Sequence, residues 1–251
     1  MAVSVKSARE IELMRTAGKY LAELHERMGE ALKPGMSTWE IDHMGDEIIR
    51  SYGCTPNFLH YNGFPASICV SVNEEVVHGI PKKGRILKEG DVVSLDCGLI
   101  YKGYHSDAAR THIIGEAPQE VKDLVERTKQ SFFEAIKKAV DGGHLYDISN
   151  AVDDYISQFG YGIVRDLVGH GIGKKLHEDP QIPNFAQKRR GLRLCAGMTL
   201  AIEPMINLGR GDVDWLDDNW TVVSSDGSVS AHYENTIVIT KDGEPEILTL
   251  I

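Results

Sequence analysis

The four cysteines, Cys54, Cys69, Cys97 and Cys195, never fall into a C-x-x-C pair. That scatter excludes a zinc ribbon or a dithiol redox motif and reads as reduced thiols in a cytosolic protein. Long apolar runs are missing too, since none approaches the ~20 residues that a membrane helix needs. Met1-Ala2-Val3-Ser4-Val5-Lys6 has no apolar core, so no signal peptide is expected and the expected location is the cytoplasm. Positive charge is scarce, with 27 lysines and arginines against 37 acids and a formal net charge of -10. That balance argues against a nucleic-acid-binding surface. Acids in excess can instead be metal ligands, whose bound cations offset the charge. What remains, 42% hydrophobic and 25% charged among 251 residues, suits one large domain or two halves sharing a core.

One stretch organises the rest. Val92-Val93-Ser94-Leu95-Asp96-Cys97-Gly98 reads as a buried strand, and Tyr104 to Ile114 as its return leg after a turn at Lys102-Gly103. A turn centred between Tyr101 and Lys102 sets Asp96 directly opposite Asp107, and a slip of one or two residues leaves them near neighbours. Two acids in an apolar strand pair repel each other and lose solvation unless a cation sits between them. A metal ion is the natural occupant.

Elsewhere Ser7-Ala8-Arg9-Glu10 and Ser37-Thr38-Trp39-Glu40 are capping boxes. The first opens a helix carrying Ile11, Met14, Leu21, Leu24 and Met28, and the second a helix running through Ile41 and Ile48 to Gly53. Residues 54–90 read as loops and short strands, with a turn at Asn62-Gly63 and a strand over Ser67 to Val72. A long helix from Pro118 to Val140 and another ending before Gly160 follow, then strands over Met198 to Glu203 and Ala231 to Thr240.

A fixed offset of 107 residues carries Gly35 to Gly142, Ile41 to Ile148, Asp46 to Asp153, Gly53 to Gly160, Leu87 to Leu194, Gly90 to Gly197 and Asp96 to Glu203. Such a repeat, pairing acid with acid, predicts a duplicated α+β domain. Residues 1–251 would form one domain with pseudo-symmetric halves, roughly 8–110 and 117–240, helices over a shared antiparallel sheet and a site where the halves meet.

The second half supplies Glu203, Glu234 and a Gly169-His170-Gly171-Ile172-Gly173 loop, with His177 close behind and His78 in the first half. Taken singly, each acid reads as an ion-pair residue and His170 as a satisfied loop histidine. Together, four carboxylates and a histidine suit two divalent ions, which carboxylates can bridge at about 3.5–4 Å, as in two-metal hydrolases.

With His-Gly-Ile-Gly at 170–173 and Ile-Glu-Pro-Met at 202–205, this set resembles the type I methionine aminopeptidases, in their short bacterial form, from about Ser7 to Thr240. The helical insertion of the type II enzymes has no room between His177 and Glu203, and the zinc-binding extension of the eukaryotic type I form is not seen. The resemblance implies the pita-bread (creatinase/aminopeptidase) fold, with a curved antiparallel sheet. It implies removal of N-terminal methionine before a small second residue, and two divalent ions (Co, Mn, Fe or Zn). Asp96 would chelate one ion, His170 and Glu203 the other, and Asp107 and Glu234 would bridge them. An activated water would attack the methionyl carbonyl, with Glu203 as base, His177 on the carbonyl oxygen, and His78 at the scissile nitrogen or the next residue's backbone.

Phe58, Tyr61, Phe64, Cys69, Leu176 and Trp220 match the methionine pocket, with plain core packing as the other reading. The chain itself begins Met1-Ala2 and would be a substrate. Implied partners are nascent polypeptide N-termini, with a monomer as the family default. Lys188, Arg189, Arg190 and Arg193 read as a solvated loop, and ribosome contact is the alternative. Departures from the family pattern are His232 and Asn235 around Glu234, with His232 expected on the face of Glu234 by strand alternation, and Phe58 and Leu176 in the pocket. Rival readings are an Xaa-Pro aminopeptidase or dipeptidase of the same fold, and a binding protein without metals.

Overall fold

The structure is a computed structural model that describes residues 3–241 and 243–251, so the Met1-Ala2 expectation lies outside the described residues. Both capping boxes form. The Ser7 hydroxyl accepts from Glu10 N at 3.4 Å while the Glu10 carboxylate accepts from Ser7 N at 2.8 Å, opening α1 (Ala8–Ala31). Ser37 and Glu40 do the same at 3.2 and 2.8 Å for α2 (Thr38–Ser51). Short strands β1 (Thr55–Pro56), β2 (Cys69–Val72) and β3 (Glu75–Val77) lead to the hairpin β4 (Val92–Tyr101) and β5 (Tyr104–Ile113). The strand expected from Ser67 starts only at Cys69, because the Ser67 and Ile68 amides donate to the Asp42 carboxylate instead of a ladder.

The hairpin register differs from the expected one by two residues. Lys102 and Gly103 both have positive φ, 48° and 83°, making a two-residue turn of the kind that matches strand twist. Asp96 therefore faces Ala109, and Asp107 faces Gly98. The two acids remain diagonal neighbours on one face.

In the second half, α3 (Gln119–Ile136) stops short of Val140 because Lys138 N and Ala139 N bond three residues back, to Ala135 O and Ile136 O, closing it as a tighter turn. Then come α4 (Leu145–Ile156), β6 (Gly162–Ile163), β7 (Gly169–Gly171), β8 (Glu178–Ile182), β9 (Thr199–Ile202), β10 (Met205–Asn207), β11 (Val213–Trp215), β12 (Val222–Ser224), β13 (Ser230–His232), β14 (Glu234–Val238) and β15 (Glu246–Ile247). The main sheet runs β1-β4-β5-β14-β9-β7-β8, with β2 on β4 and β15 on β14. Two three-stranded sheets, β13-β10-β6 and β11-β12-β3, flank it.

The strand expected over Ala231 to Thr240 is two strands. Pro204 lacks an amide and interrupts β9–β10, and Tyr233, bonding to Pro204 O, interrupts β13–β14 at the facing point. The register is the same on both sides of the break, so Glu203 lies opposite Glu234.

Matching backbone bonds tie each half. Gly35 N–Leu87 O, Leu87 N–Met36 O and Thr38 N–Arg85 O recur as Gly142 N–Leu194 O, Leu194 N–Gly143 O and Leu145 N–Leu192 O, at the same sequence spacing. Each half also has its own core, around Leu21, Ile41 and Leu95 in one and Leu124, Ile148 and Leu200 in the other. A third cluster, with Met14, Phe58, Phe64, Cys69 and Leu176, fills the space between.

Candidate metal centre

Five strands or strand ends deliver polar side chains to one cavity of about 190 Å³: Asp96 from β4, Asp107 from β5, His170 from β7, Glu203 just past β9 and Glu234 from β14. Single ligand atoms of Asp107, His170 and Glu234 lie within 4.8 Å of one another. His170 Nε2 is 3.8 Å from Asp107 Oδ2 and 3.6 Å from Glu203 Oε1. His170 Nδ1 lies 2.9 Å from Gly171 O, an acceptor, so the proton is assigned to Nδ1 and Nε2 is left bare.

The expected loop at 169–173 is instead a short strand. A β-carbon at Gly169 would lie 2.5 Å from Ala201 O and one at Gly171 2.2 Å from Asp179 O, so these glycines admit β7 between β8 and β9 rather than approach the cavity. Gly98 has a comparable task beside Asp107, where a β-carbon would meet Asp107 Oδ1 at 2.8 Å and Asn57 Nδ2 at 2.3 Å.

Burial sets the electrostatics. It pushes Asp96 up to about 7 and, joined by the neighbouring acids, raises Asp107, Glu203 and Glu234 well above the carboxylate range. Desolvation likewise lowers buried His170 and His232 to about 3 and half-buried His78 to about 4, and it holds the more exposed His177 below its ordinary value. Asp96 Oδ1, Asp107 Oδ1 and Glu234 Oε1 are buried without a hydrogen-bond partner among the described residues. No lysine or arginine lines the cavity. Buried, unpaired carboxylate oxygens beside a bare imidazole nitrogen form a donor set that hard or borderline divalent cations fit.

Every other residue expected at the site lines the same cavity: His78, His177, Phe58, Tyr61, Phe64, Cys69, Leu176 and Trp220. Tyr61 Oη is 2.7 Å from His177 Nδ1, and the His170 and His177 rings meet edge to face at 4.4 Å. Phe64 and His78 both present their rings edgewise to Trp220. His232 sits in a different sheet from Glu234, and its Nε2 lies 3.7 Å from Glu203 Oε2. Asn235 points at Arg110 and Thr249 through its Oδ1.

Sequence reasoning missed the supporting residues. Asn62 lines the cavity, Asn184 donates to Glu203 O at 2.9 Å, and Thr236 is bonded to both backbone groups of Asp107. Asn62 enters the sequence reading only as half of a turn and the other two belong to no motif, so their supporting roles show only in the tertiary register.

The model of metallopeptidase family M24 matches residues 12–241. The chain belongs to that family. Its members are metal-dependent hydrolases. The methionine aminopeptidase of Clostridium acetobutylicum is 52% identical over 248 residues, 99% of each chain. Methionine aminopeptidase 1 of Bacillus subtilis is 47% identical and covers 98% of each. The crystal structure of a Thermotoga maritima methionine aminopeptidase covers both chains fully, with a TM-score of 0.97 and 43% identity. The fold is therefore the pita-bread fold. An X-Pro aminopeptidase from Thermotoga maritima shares that fold alone, with a TM-score of 0.78 at 23% identity, over 98% of this chain and 62% of its own.

Proposed function

We propose that this metallopeptidase releases the N-terminal methionine of nascent proteins and peptides whose second residue is small. The observation that carries the reading is one cavity holding four acids, Asp107 and Glu234 buried and Asp96 and Glu203 half-buried, with a bare imidazole nitrogen and an apolar wall. It is supported by full-length likeness to enzymes named methionine aminopeptidase.

Asp96, Asp107, His170, Glu203 and Glu234 would hold two divalent ions drawn from Co, Mn, Fe or Zn, with Asp107 and Glu234 shared. Such ions supply Lewis acidity, acidifying a water and polarising a carbonyl. The chain's own groups do the rest. Glu203 takes the proton of the attacking water and returns it to the leaving amine. With Tyr61 donating to Nδ1, His177 keeps a proton on Nε2 and donates it to the carbonyl oxygen as charge develops there. His78, held at a φ of 58°, contacts the scissile nitrogen or the next residue's backbone. Phe58, Tyr61, Phe64, Cys69, Leu176 and Trp220 enclose the flexible methionine side chain. Only a chain's first residue brings the free amino group that the acids and their ions can take, which makes the enzyme an exopeptidase.

The same reading makes the protein a cytoplasmic monomer and its two halves, joined in one domain over 1–251, products of a duplication. The recurring backbone bonds and the paired cores support that descent. Among the described residues no helix is long and apolar enough to cross a membrane.

The test is release of free methionine from Met-Ala-Ser by chelated protein, with Mn, Co, Fe or Zn added back, beside an Asp96→Asn control. Release restored by metal and absent from the control is expected. No release under any ion overturns the reading. Cleavage of an Xaa-Pro peptide would then favour the proline-directed enzyme, and inactivity on both the metal-free binding protein.

A further inference from the structure

Strands β5 and β14 carry Asp107 and Glu234, one acid from each half, yet their ladder has only two residue pairs, Ala109 with Glu234 and Ala108 with Asn235. Within the first half, β4 and β5 share ten. Side chains complete the short seam between the halves. On one flank the Thr236 hydroxyl accepts from Asp107 N at 3.0 Å and donates to Asp107 O at 2.8 Å. On the other the Thr111 hydroxyl accepts from His232 N at 2.9 Å and donates to His232 O at 2.8 Å.

Arg110 spans the middle. Its guanidinium donates to the carbonyls of Ala109, Glu234 and Thr249 and to Asn235 Oδ1, with its face 4.6 Å from the Tyr233 ring. Among the described residues no carboxylate is its hydrogen-bond partner, so this half-buried cation is spent on backbone and amide oxygens. The C-terminal segment it grips is fixed in turn. Thr249 Oγ1 accepts from Thr236 N at 3.1 Å and donates to Asn235 Oδ1 at 2.9 Å, and Leu248 N donates to Thr236 O at 2.9 Å. Arg110 does not line the metal cavity.

We propose that Arg110 is a positioning residue of the metal centre, fixing Glu234 of one half against Asp107 of the other, with Thr249 of the C-terminal segment as its outer support. The proposal rests on the reading of these acids as metal ligands. A planar fork whose bonds end on three separate segments resists sliding of β14 past β5. A lysine ammonium keeps the charge but lacks that geometry. Removing groups that orient metal ligands from outside costs about 10–100-fold in metal affinity.

Calorimetric titration of Mn²⁺ into chelated protein tests it, with wild type beside Arg110→Lys, Arg110→Met and a chain ending at Leu248. The same samples are melted without metal and assayed on Met-Ala-Ser. Arg110→Met is expected to weaken Mn²⁺ binding about tenfold or more, with Arg110→Lys and the shortened chain losing less in the same direction. kcat is expected to fall while KM holds, because the methionine pocket is untouched. Variants that bind Mn²⁺ as wild type does overturn the proposal, even with lowered melting temperatures, since Arg110 would then only stabilise the fold. If Arg110→Met does not fold, Arg110→Lys and the shortened chain decide by the same criterion. A wild type that binds no Mn²⁺ would instead defeat the underlying metal reading.

Discussion

His112 illustrates at the scale of one residue what burial does away from the metal centre. Its ring packs on α1 where Gly29 leaves space, since a β-carbon there would lie 2.7 Å from Cε1, and its Nε2 has no partner among the described residues. Burial, reinforced by the nearby Arg110 cation, lowers it from 6.5 to about 4. The unfolded chain binds a proton near pH 6.5 that the folded chain refuses until about pH 4. This contribution to stability is therefore intact above that upper value and is lost as the pH falls through the window. His112→Phe should flatten the acid side of the stability profile by roughly 1–3 kcal/mol over that window. Melting chelated protein across it checks this, and an unchanged acid limb would refute it. The sequence announced the acids because carboxylates in an apolar strand need a cation wherever the strand packs. It was silent on His112, Arg110, Asn57 and Thr236, whose surroundings come from segments brought near only by the completed fold.

Among elements, local chemistry was legible and strand ends were not. The capping boxes depend on neighbours within four residues, and both N-caps form as read, whereas α3 stops at Ile136, short of the expected Val140. The hairpin turn was centred wrongly because two positive-φ residues, one of them the lysine Lys102, close it. The split at Tyr233 follows from Pro204, nearly thirty residues away and adjacent only across the sheet. The basic loop at 188–193 is also element business. Its backbone is pinned along the start of α4 by Leu145 N to Leu192 O and Tyr146 N to Arg190 O, while Lys188, Arg189, Arg190 and Arg193 are exposed. Reversing these four charges should thus leave the fold intact. As a solvated loop it should also leave ribosome co-sedimentation unchanged, and a loss of co-sedimentation would establish the contact instead.

At the scale of the molecule, the clustered acids oppose folding until cations arrive. Metal that binds only the assembled site stabilises it by about 2.7 kcal/mol at a hundredfold excess over Kd. Chelation should therefore lower the melting temperature by several degrees, at roughly 2–4 °C per kcal/mol for a chain of this size. An unchanged melt in excess chelator, with metal loss confirmed, would contradict this.

The narrow seam between β5 and β14 has a consequence for heredity. Asp96 and Asp107 lie in one half, and His170, Glu203 and Glu234 in the other. A gene shortened to either half would specify two acids without the other half's strand to set them against. Neither half can be discarded or wander far without the other, so selection on activity reads the pair as one indivisible unit.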